Sequence, residues 1–219
     1  MEAARSTRER ILRKAADIAS VEGLGGISIG RLAAELDMSK SGVIGHFGSM
    51  EELQLATVDF GSEIFRSLVW DPVVTEQRGR PRLLAVCDTW SAYSTNPPYP
   101  GGCLIATASM EFAGQGGRVH ERLAEYLNLW HRTLAAEVDF AIEHGQLPGS
   151  TDADSVAYIL QALTSSVKTA RYLSAVPETA DRCRTAMRAV LAGNEVGPDD
   201  SQPAVTVDDG VGRATSLGD

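Results

Sequence analysis

The chain has 219 residues, of which 43% are hydrophobic and 22% charged. These fractions are ordinary for a globular protein, so they exclude a collagen, a coiled-coil rod and a wholly disordered chain. The apolar runs are too short to span a membrane, and the charged N-terminus, MEAARSTRER, has no apolar signal segment. We therefore expect a cytoplasmic protein without membrane contact.

The charges divide the chain into two parts. Residues 1–47 hold seven basic and six acidic side chains, a balance of +1, whereas the remaining 172 residues hold 13 basic and 23 acidic ones, a balance of −10. A near-neutral head on an acidic body is consistent with a small DNA-binding module carried by a larger domain. Three scattered cysteines, Cys87, Cys103 and Cys183, fit neither a disulfide framework nor a zinc site, and we expect buried thiols.

Three short helices are predicted in the first fifty residues. Apolar residues at three- and four-residue spacing predict an amphipathic helix over 7–21, capped by Ser6 or Thr7 and ended by the glycines at 23–26. A second helix starts near Ser28 and ends at Leu36. A third, capped by Ser39, runs from 40 to about 46.

The rest of the chain predicts further helices separated by proline and glycine. Ser49 and Glu52 resemble a capping box at the start of a helix over 50–69. A loop at 71–82 and a helix through 83–90 follow, and the segment 94–102, with three prolines, excludes a helix. Further helices are expected at 103–113, 118–144, 152–174 and 177–192, the last two separated by Pro177. The glycine-rich acidic tail, 193–219, is expected to be disordered.

The first three helices predict a helix-turn-helix DNA-binding unit. Segment 7–53 (TRERILRKAADIASVEGLGGISIGRLAAELDMSKSGVIGHFGSMEEL) resembles the N-terminal domain of the TetR family of transcriptional regulators. The similarity combines a glycine-ended first helix, a capped second helix with Ile-x-x-Leu-Ala, a turn ending in Met-Ser-Lys and a third helix closing on His-Phe. It implies an all-α protein of about nine helices, with a DNA-binding domain at 1–48 and an effector-binding and dimerisation domain at 49–192.

The predicted DNA contacts lie around the third helix. Helix N-termini offer free N–H groups to phosphates, small residues permit close approach, and a lysine adds positive charge. The candidates are Ser28, Ser39, Lys40, Ser41, Gly42, Ile44, Gly45, His46 and Ser49. Ordinary capping is the alternative for the serines, and packing on Phe47 is the alternative for His46.

Three positions depart from the family pattern. Ile44 stands where the family usually has a tyrosine, Gly45 where a bulkier residue is frequent, and Met50 where a lysine is usual. Isoleucine cannot give the tyrosine's phosphate hydrogen bond, although it can touch a thymine methyl group. We therefore expect fewer phosphate contacts and a shallower salt dependence.

The resemblance also implies an effector cavity between the body helices. Aromatic, sulfur-containing and apolar residues are the expected lining, with simple core packing as the alternative: Trp90, Tyr93, Cys103, Met110, Tyr126 and Trp130. Glu111, Asn128 and His131 are candidate polar contacts. The predicted dimer interface lies on helices 152–174 and 177–192, through Val156, Ile159, Leu160, Leu163, Val167, Met187, Val190 and Leu191.

The sequence thus predicts a homodimeric, ligand-responsive repressor that binds a palindromic DNA operator and is released by a small apolar or aromatic effector. The alternative is a helical small-molecule sensor that has lost DNA recognition through Ile44, Gly45 and Met50. A serine hydrolase based on the S-x-x-K pair Ser165 and Lys168 is disfavoured, because the accompanying motifs are absent. We expect no enzyme activity, no cofactor and no metal site.

Overall fold

The computed structural model describes residues 2–173 and 178–192, and every regular element within these ranges is helical. Nine α-helices lie in these ranges: α1 (Glu2–Glu22), α2 (Ile29–Leu36), α3 (Lys40–Gly45), α4 (Met50–Phe65), α5 (Arg80–Thr95), α6 (Leu104–Phe112), α7 (Arg118–Glu143), α8 (Ala153–Leu173) and α9 (Thr179–Val190). The predicted all-α fold is confirmed. The predicted tail, 193–219, and Pro177 lie outside the described residues.

The N-terminal helices share one hydrophobic core with three helices of the body. Ile11 and Ala15 of α1, Leu32 of α2 and Val43 of α3 are fully buried, together with apolar residues of α4, α6 and α7. The apolar faces of short helices are stabilised chiefly by such tertiary packing. The helix-turn-helix unit is therefore built onto α4 and α6 rather than tethered by a flexible linker.

A second core fills the C-terminal part of the molecule. It joins α5, α7, α8 and α9 through buried residues that include Leu83, Leu134, Leu160 and Met187. Phe65 lies beside this core and meets the rings of Trp90, Tyr93 and Trp130 edge-on, with centroids 5.3–5.7 Å apart. Edge-to-face contacts of this kind stabilise aromatic clusters beyond the area that they bury.

Several boundaries differ from those predicted. Helix α1 begins at Glu2, so Ser6 and Thr7 lie inside it and not at its N-cap. Helix α4 ends at Phe65, and a π-helical turn, Arg66–Trp70, replaces the last predicted turn. Helix α5 begins at Arg80 because Pro81 sits in the first turn, where proline costs no hydrogen bond.

The helix α5 start is also fixed by a buried carboxylate. Glu137 of α7 accepts hydrogen bonds from the Gly79 backbone N–H at 2.8 Å, from Arg78 Nε at 3.1 Å and from Arg82 Nη1 at 3.0 Å. Gln146 Oε1 accepts from the next N–H, that of Arg80, at 2.7 Å. These side chains satisfy N–H groups that a helix start leaves without intrahelical partners.

The interface residues predicted on α8 and α9 mostly face the interior of their own subunit. Five of them are buried in the second core: Val156, Leu160, Val167, Met187 and Leu191. Helical periodicity identified the apolar face of each helix correctly, but that face packs on α5 and α7. These five residues are therefore not available for contact with a second copy. Within the described ranges, no helix is both long and apolar enough to cross a membrane.

Candidate DNA-binding face and effector cavity

The helix-turn-helix geometry comes from a short, tightly bonded turn. Helix α2 ends at Leu36, and Asp37 adopts a left-handed conformation with φ 54° while its N–H donates to Ala33 O. Ser39 then returns to an extended conformation and caps α3. Because Asp and Asn tolerate the left-handed region better than most residues, the turn needs no glycine.

Three predicted serines act as N-caps. Ser28 Oγ accepts from Arg31 N at 3.2 Å, Ser39 Oγ from Gly42 N at 3.0 Å, and Ser49 Oγ from Glu52 N at 3.1 Å. All three are exposed. A hydroxyl that accepts one hydrogen bond still carries a proton to donate, so capping leaves each serine able to bind a phosphate.

The predicted capping box at Ser49 is only half formed. The serine caps α4, but the Glu52 carboxylate pairs with Arg118 of α7 at 2.6 Å, and Glu51 pairs with the same guanidinium at 3.0 Å. Met50, where the family usually has lysine, packs against the N-terminal core. The two glutamates in the first turn of α4 therefore form ion pairs with α7.

The other predicted DNA-contact residues surround α3. Lys40, Ser41 and Gly45 are exposed, while Gly42, Ile44 and His46 are half-buried. Ser41 Oγ lies 3.1 Å from Ser39 Oγ. His46 is the C-cap of α3, and its ring lies beside that of Phe47, with centroids 6.3 Å apart.

Positive charge on this domain is partly neutralised internally. Arg31 binds Glu22 and Glu35 at 2.8 Å, and Lys14 also binds Glu35. Lys40, in contrast, forms no ion pair with the described carboxylates, and its stem passes over Gly30 of α2. Lys40 is therefore available to a phosphate, whereas Lys14 and Arg31 support the fold.

A cavity of about 1460 Å³ opens between α4, α5, α6, α7 and α8. The structure brings the predicted effector-binding residues to this one cavity, where all six lie in its lining: Trp90, Tyr93, Cys103, Met110, Tyr126 and Trp130. Phe65 and Trp70, from the end of α4 and the π-helical turn, add to its aromatic wall. The lining is mostly apolar, as in sites for small organic molecules.

The cysteines differ in their surroundings. Burial raises the pKa of the Cys87 thiol from 9.0 to about 12 and that of Cys183 to about 11, because the thiolate loses its hydration. Cys103 is only half-buried, caps α6 and lines the cavity. The prediction of buried thiols is confirmed for Cys87 and Cys183 and is wrong for Cys103, which is only half-buried.

The polar residues expected at the cavity lie elsewhere. His131 bonds to Gln161 and Asp154, each at 3.1 Å, and neither it nor Asn128 belongs to the lining. Glu111, at the end of α6, instead accepts hydrogen bonds from Leu24 N at 2.6 Å and Gly25 N at 2.9 Å. Its carboxylate caps the 3-10 turn Leu24–Gly26 between α1 and α2.

The Glu111 contact explains the glycines after α1. A Cβ on Gly23, which has φ +79°, would lie 2.4 Å from Glu111 Oε2, and one on Gly25 would lie 3.0 Å from Oε1. A side chain at Gly23 would displace the carboxylate and strain the backbone. The glycines therefore end α1 and also leave space for the Glu111 carboxylate of α6.

A second contact between the body and α1 was missed by the sequence reasoning. The Ser20 carbonyl in the last turn of α1 accepts from Thr107 Oγ1 at 3.2 Å and from Lys168 Nζ at 3.0 Å. Ser20 Oγ accepts from Gly101 N at 3.0 Å. Lys168 therefore does not pair with Ser165, whose hydroxyl donates to Gln161 O. No local motif marks this contact, since its residues are far apart in sequence.

A helix-turn-helix module mounted on a helical body with an apolar cavity is the architecture of a transcriptional regulator with a ligand-binding domain. Residues 11–57 match the family model for bacterial regulatory proteins of the tetR family, and residues 79–187 match the tetracyclin repressor-like C-terminal domain. Together these matches span well over half of the chain. The protein belongs to the TetR family, whose members are transcription factors and not enzymes.

Solved structures share this fold across most of their length. A TetR regulator from Chloroflexus aurantiacus J-10-FL is 26% identical, with a TM-score of 0.79 over 88% of this chain and 97% of that one. One from Cytophaga hutchinsonii is 20% identical, with a TM-score of 0.75 over 90% and 98%. AibR, solved with isovaleryl coenzyme A and operator DNA, is 19% identical, with a TM-score of 0.68 over 82% and 95%. No curated protein matches the sequence significantly.

Proposed function

We propose that this protein is a homodimeric repressor that binds a palindromic operator and releases it when a small apolar or aromatic effector enters the cavity. The double role of α6 carries the proposal. Ile105, Ala106 and Met110 of this helix line the cavity, while its Glu111 holds the 3-10 turn of the DNA-binding domain. A ligand that shifts α6 therefore acts directly on the position of α1–α3.

The contacts at both ends of α6 make this coupling stiff. Near its start, Thr107 donates to the last turn of α1, and at its end a carboxylate accepts two backbone N–H groups. Hydrogen bonds to a charged acceptor are stronger than neutral ones. Movement of α6 is therefore transmitted to α1 and the turn after it rather than absorbed at the junction.

The DNA side of the proposal requires two copies. Helix α3 has six residues and can read only one half-site. Two recognition helices about 34 Å apart enter successive major grooves of one duplex face. An effector that binds better to a dimer with another separation lowers operator affinity by shifting the population.

The exposed face of α8 is the proposed dimer contact. Tyr158 is 67% exposed and Leu173 84% exposed, and Ala162 lies between them on α8. Further exposed apolar side chains border the same cavity: Met110, Leu127, Leu129 and Tyr172. We call these exposed side chains around the cavity the apolar collar, and such clusters of exposed apolar residues are typical of a protein interaction surface.

The proposed effector class follows from the cavity wall. Phe65, Trp70, Trp90 and Trp130 form connected edge-to-face pairs that present flat apolar surface. The complex of AibR with isovaleryl coenzyme A supports a small-molecule effector for a protein of this fold. Such a regulator acts in the cytoplasm, where it meets both its effector and its operator.

The test is binding of the full chain to a labelled duplex taken from upstream of its own gene, with and without a panel of aromatic and aliphatic compounds. We expect saturable binding that salt weakens and that at least one compound of the panel reverses. Glu111→Gln is expected to blunt this reversal while the compound still quenches tryptophan fluorescence. Glu121→Gln, which changes an exposed carboxylate on α7, is the matched control.

Two results would contradict the proposal. If the protein binds a compound but no upstream duplex, it is instead a sensor that has lost DNA recognition through Ile44, Gly45 and Met50. If Glu111→Gln releases DNA as readily as the wild type does, α6 does not transmit the signal through this carboxylate.

A further inference from the structure

Lys168 is a positively charged side chain that lines the effector cavity and also contacts the DNA-binding domain. It lies on α8, and its Nζ donates to the Ser20 carbonyl at 3.0 Å and to the Thr107 hydroxyl. Ser20 belongs to the last turn of α1, where the helix dipole favours a positive charge. One side chain therefore joins α1, α6 and the cavity.

Lys168 differs from the other charged residues of the lining. Glu63, Arg66 and Arg171 are exposed, whereas Lys168 is half-buried. Arg66 lies 3.7 Å from Asp71, but no described carboxylate lies within ion-pair distance of Lys168 Nζ. Among the described residues, its Nζ donates hydrogen bonds to a carbonyl and a hydroxyl.

This environment leaves the ammonium group short of negative charge. Burial lowers the pKa of Lys168, because the charged form loses hydration that neutral acceptors replace only in part. A carboxylate placed against Nζ would supply a full opposing charge and a charge-assisted hydrogen bond.

Other polar atoms of the lining residues do not face the cavity. Trp130 Nε1, Ser62 Oγ and Ser109 Oγ are buried and have no hydrogen-bond partner among the described residues. These three atoms have almost no accessible surface, so protein atoms rather than the cavity surround them. The preference for a ligand that carries a negative acceptor therefore rests on Lys168.

We propose that the effector is an amphipathic carboxylate whose apolar or aromatic body packs on the tryptophan wall and whose carboxylate pairs with Lys168. This inference rests on the proposed function. The ligand competes with the Ser20 carbonyl for the ammonium group, so its binding weakens a contact that holds α1 against the body. Lys168 thereby both selects the effector's charge and reports its presence to the DNA-binding domain.

The test compares acids with their neutral amides. The probes are 4-phenylbutanoate and decanoate against 4-phenylbutanamide and decanamide, titrated into the full chain at pH 7 with tryptophan fluorescence and calorimetry as readouts. We expect each acid to bind the wild type at least tenfold more tightly than its amide. Lys168→Met should remove this preference and leave amide binding within about threefold, which also shows that the variant is folded.

Two further variants separate charge from geometry. Lys168→Arg keeps the positive charge and should retain a preference for the acids. Arg132→Met removes a positive charge from an exposed site on α7 outside the lining, and it should bind all four probes as the wild type does. If Arg132→Met loses the preference as Lys168→Met does, a general charge effect replaces the proposed pairing.

The failure of this inference is distinct from that of the proposed function. If acids and amides bind equally and both release DNA, the repressor model stands and the role of Lys168 is wrong. If the acid preference depends on Lys168 but no upstream duplex binds, the effector class stands and the repressor model fails. An acid preference that survives Lys168→Met, or no binding of any probe, would overturn the inference.

Discussion

The serines at the starts of α2, α3 and α4 serve the fold and the proposed DNA contact with the same atom. Each Oγ accepts one N–H of its own helix. Its hydroxyl proton can turn toward a phosphate oxygen, because a hydroxyl offers one donor and two acceptor positions; at Ser39 the same proton can also be donated to Ser41 Oγ, 3.1 Å away. Capping and phosphate binding are therefore compatible at these residues, and the two interpretations of the sequence do not compete.

Gly45 offers the sharpest residue test of close approach to DNA. It is exposed at the end of α3, and a Cβ added there meets nothing within 4 Å. Gly45→Ala should leave unfolding unchanged or stabilise the protein by up to about 1 kcal/mol, since alanine favours helix. Operator affinity should fall if the duplex occupies that space, which fluorescence anisotropy measures.

Gly114→Ala is the matched control, because it adds the same methyl group in the open loop after α6. It should bind DNA as the wild type does. Unchanged affinity in Gly45→Ala would mean that DNA does not approach α3 at this residue.

The three thiols should react in a fixed order. Iodoacetamide at pH 8 should label Cys103, which is half-buried in the cavity lining, and leave Cys87 and Cys183 intact until unfolding. Their raised pKa values keep both buried thiols protonated. Mass spectrometry of peptides identifies the labelled residue, and early labelling of Cys87 would contradict the packing of α5. Cavity ligands should protect Cys103.

The raised pKa of Cys87 also determines how the free energy of unfolding changes with pH. Below pH 9 the Cys87 thiol is protonated in both the folded and the unfolded chain, so burial of the neutral form stabilises the fold fully. Between pH 9 and about 12 the unfolded chain ionises first, and this stabilisation is lost as pH rises.

At the scale of elements, Glu137 is the side chain on which the start of α5 depends. It is 4% exposed and serves two arginines and the Gly79 N–H. Glu137→Ala leaves the Gly79 N–H without its acceptor and Arg82, whose side chain is 13% exposed, without a carboxylate partner, so the free energy of unfolding should fall by about 3–5 kcal/mol. Urea denaturation measures this change.

Glu143→Ala removes an exposed carboxylate near the end of the same helix. It should change stability by less than about 0.5 kcal/mol. A loss in Glu137→Ala no larger than that of Glu143→Ala would show that the buried cluster contributes little.

The elements could be predicted from sequence because their signals are local. Apolar spacing defines α1, α2 and α7, and each serine cap lies three residues before the N–H that it accepts. The junctions are not local: the Glu111 carboxylate reaches Leu24 across 87 positions, and Lys168 reaches Ser20 across 148. The sequence relates Lys168 only to Ser165, because spacing along the chain shows partners on the same helix and not across the fold.

The same limit explains why most residues that the sequence predicts for the dimer interface are buried within one subunit. Periodicity shows which face of α8 is apolar but not whether its own subunit or a second copy covers it. The structure places Val156 and Leu160 against α5 and α7, and leaves Tyr158 outside. Burial within one subunit has to be known before an apolar stripe can be assigned to an interface.

At the scale of the whole molecule, assembly is the property that decides operator binding, and Tyr158 tests it. Its side chain is 67% exposed in the single subunit, so Tyr158→Asp should leave the fold intact while placing a charge in the proposed seam. An unpaired buried charge costs about 3–5 kcal/mol, enough to dissociate a dimer of moderate affinity. Sedimentation velocity should show a monomer, and binding to a palindromic duplex should fall to that of a single half-site.

The control variant for Tyr158→Asp is tested in the same sedimentation experiment. Val74→Asp also replaces an exposed apolar residue, in the loop before α5, and should sediment as the wild type does. Leu163→Asp is less informative, because Leu163 packs partly against the body core and its change affects folding and assembly together. A thermal melt that matches the wild type, combined with a monomer, identifies the loss as one of assembly. If Tyr158→Asp remains a dimer, the two copies meet elsewhere than on this face of α8, and the apolar collar around the cavity is not what holds them together.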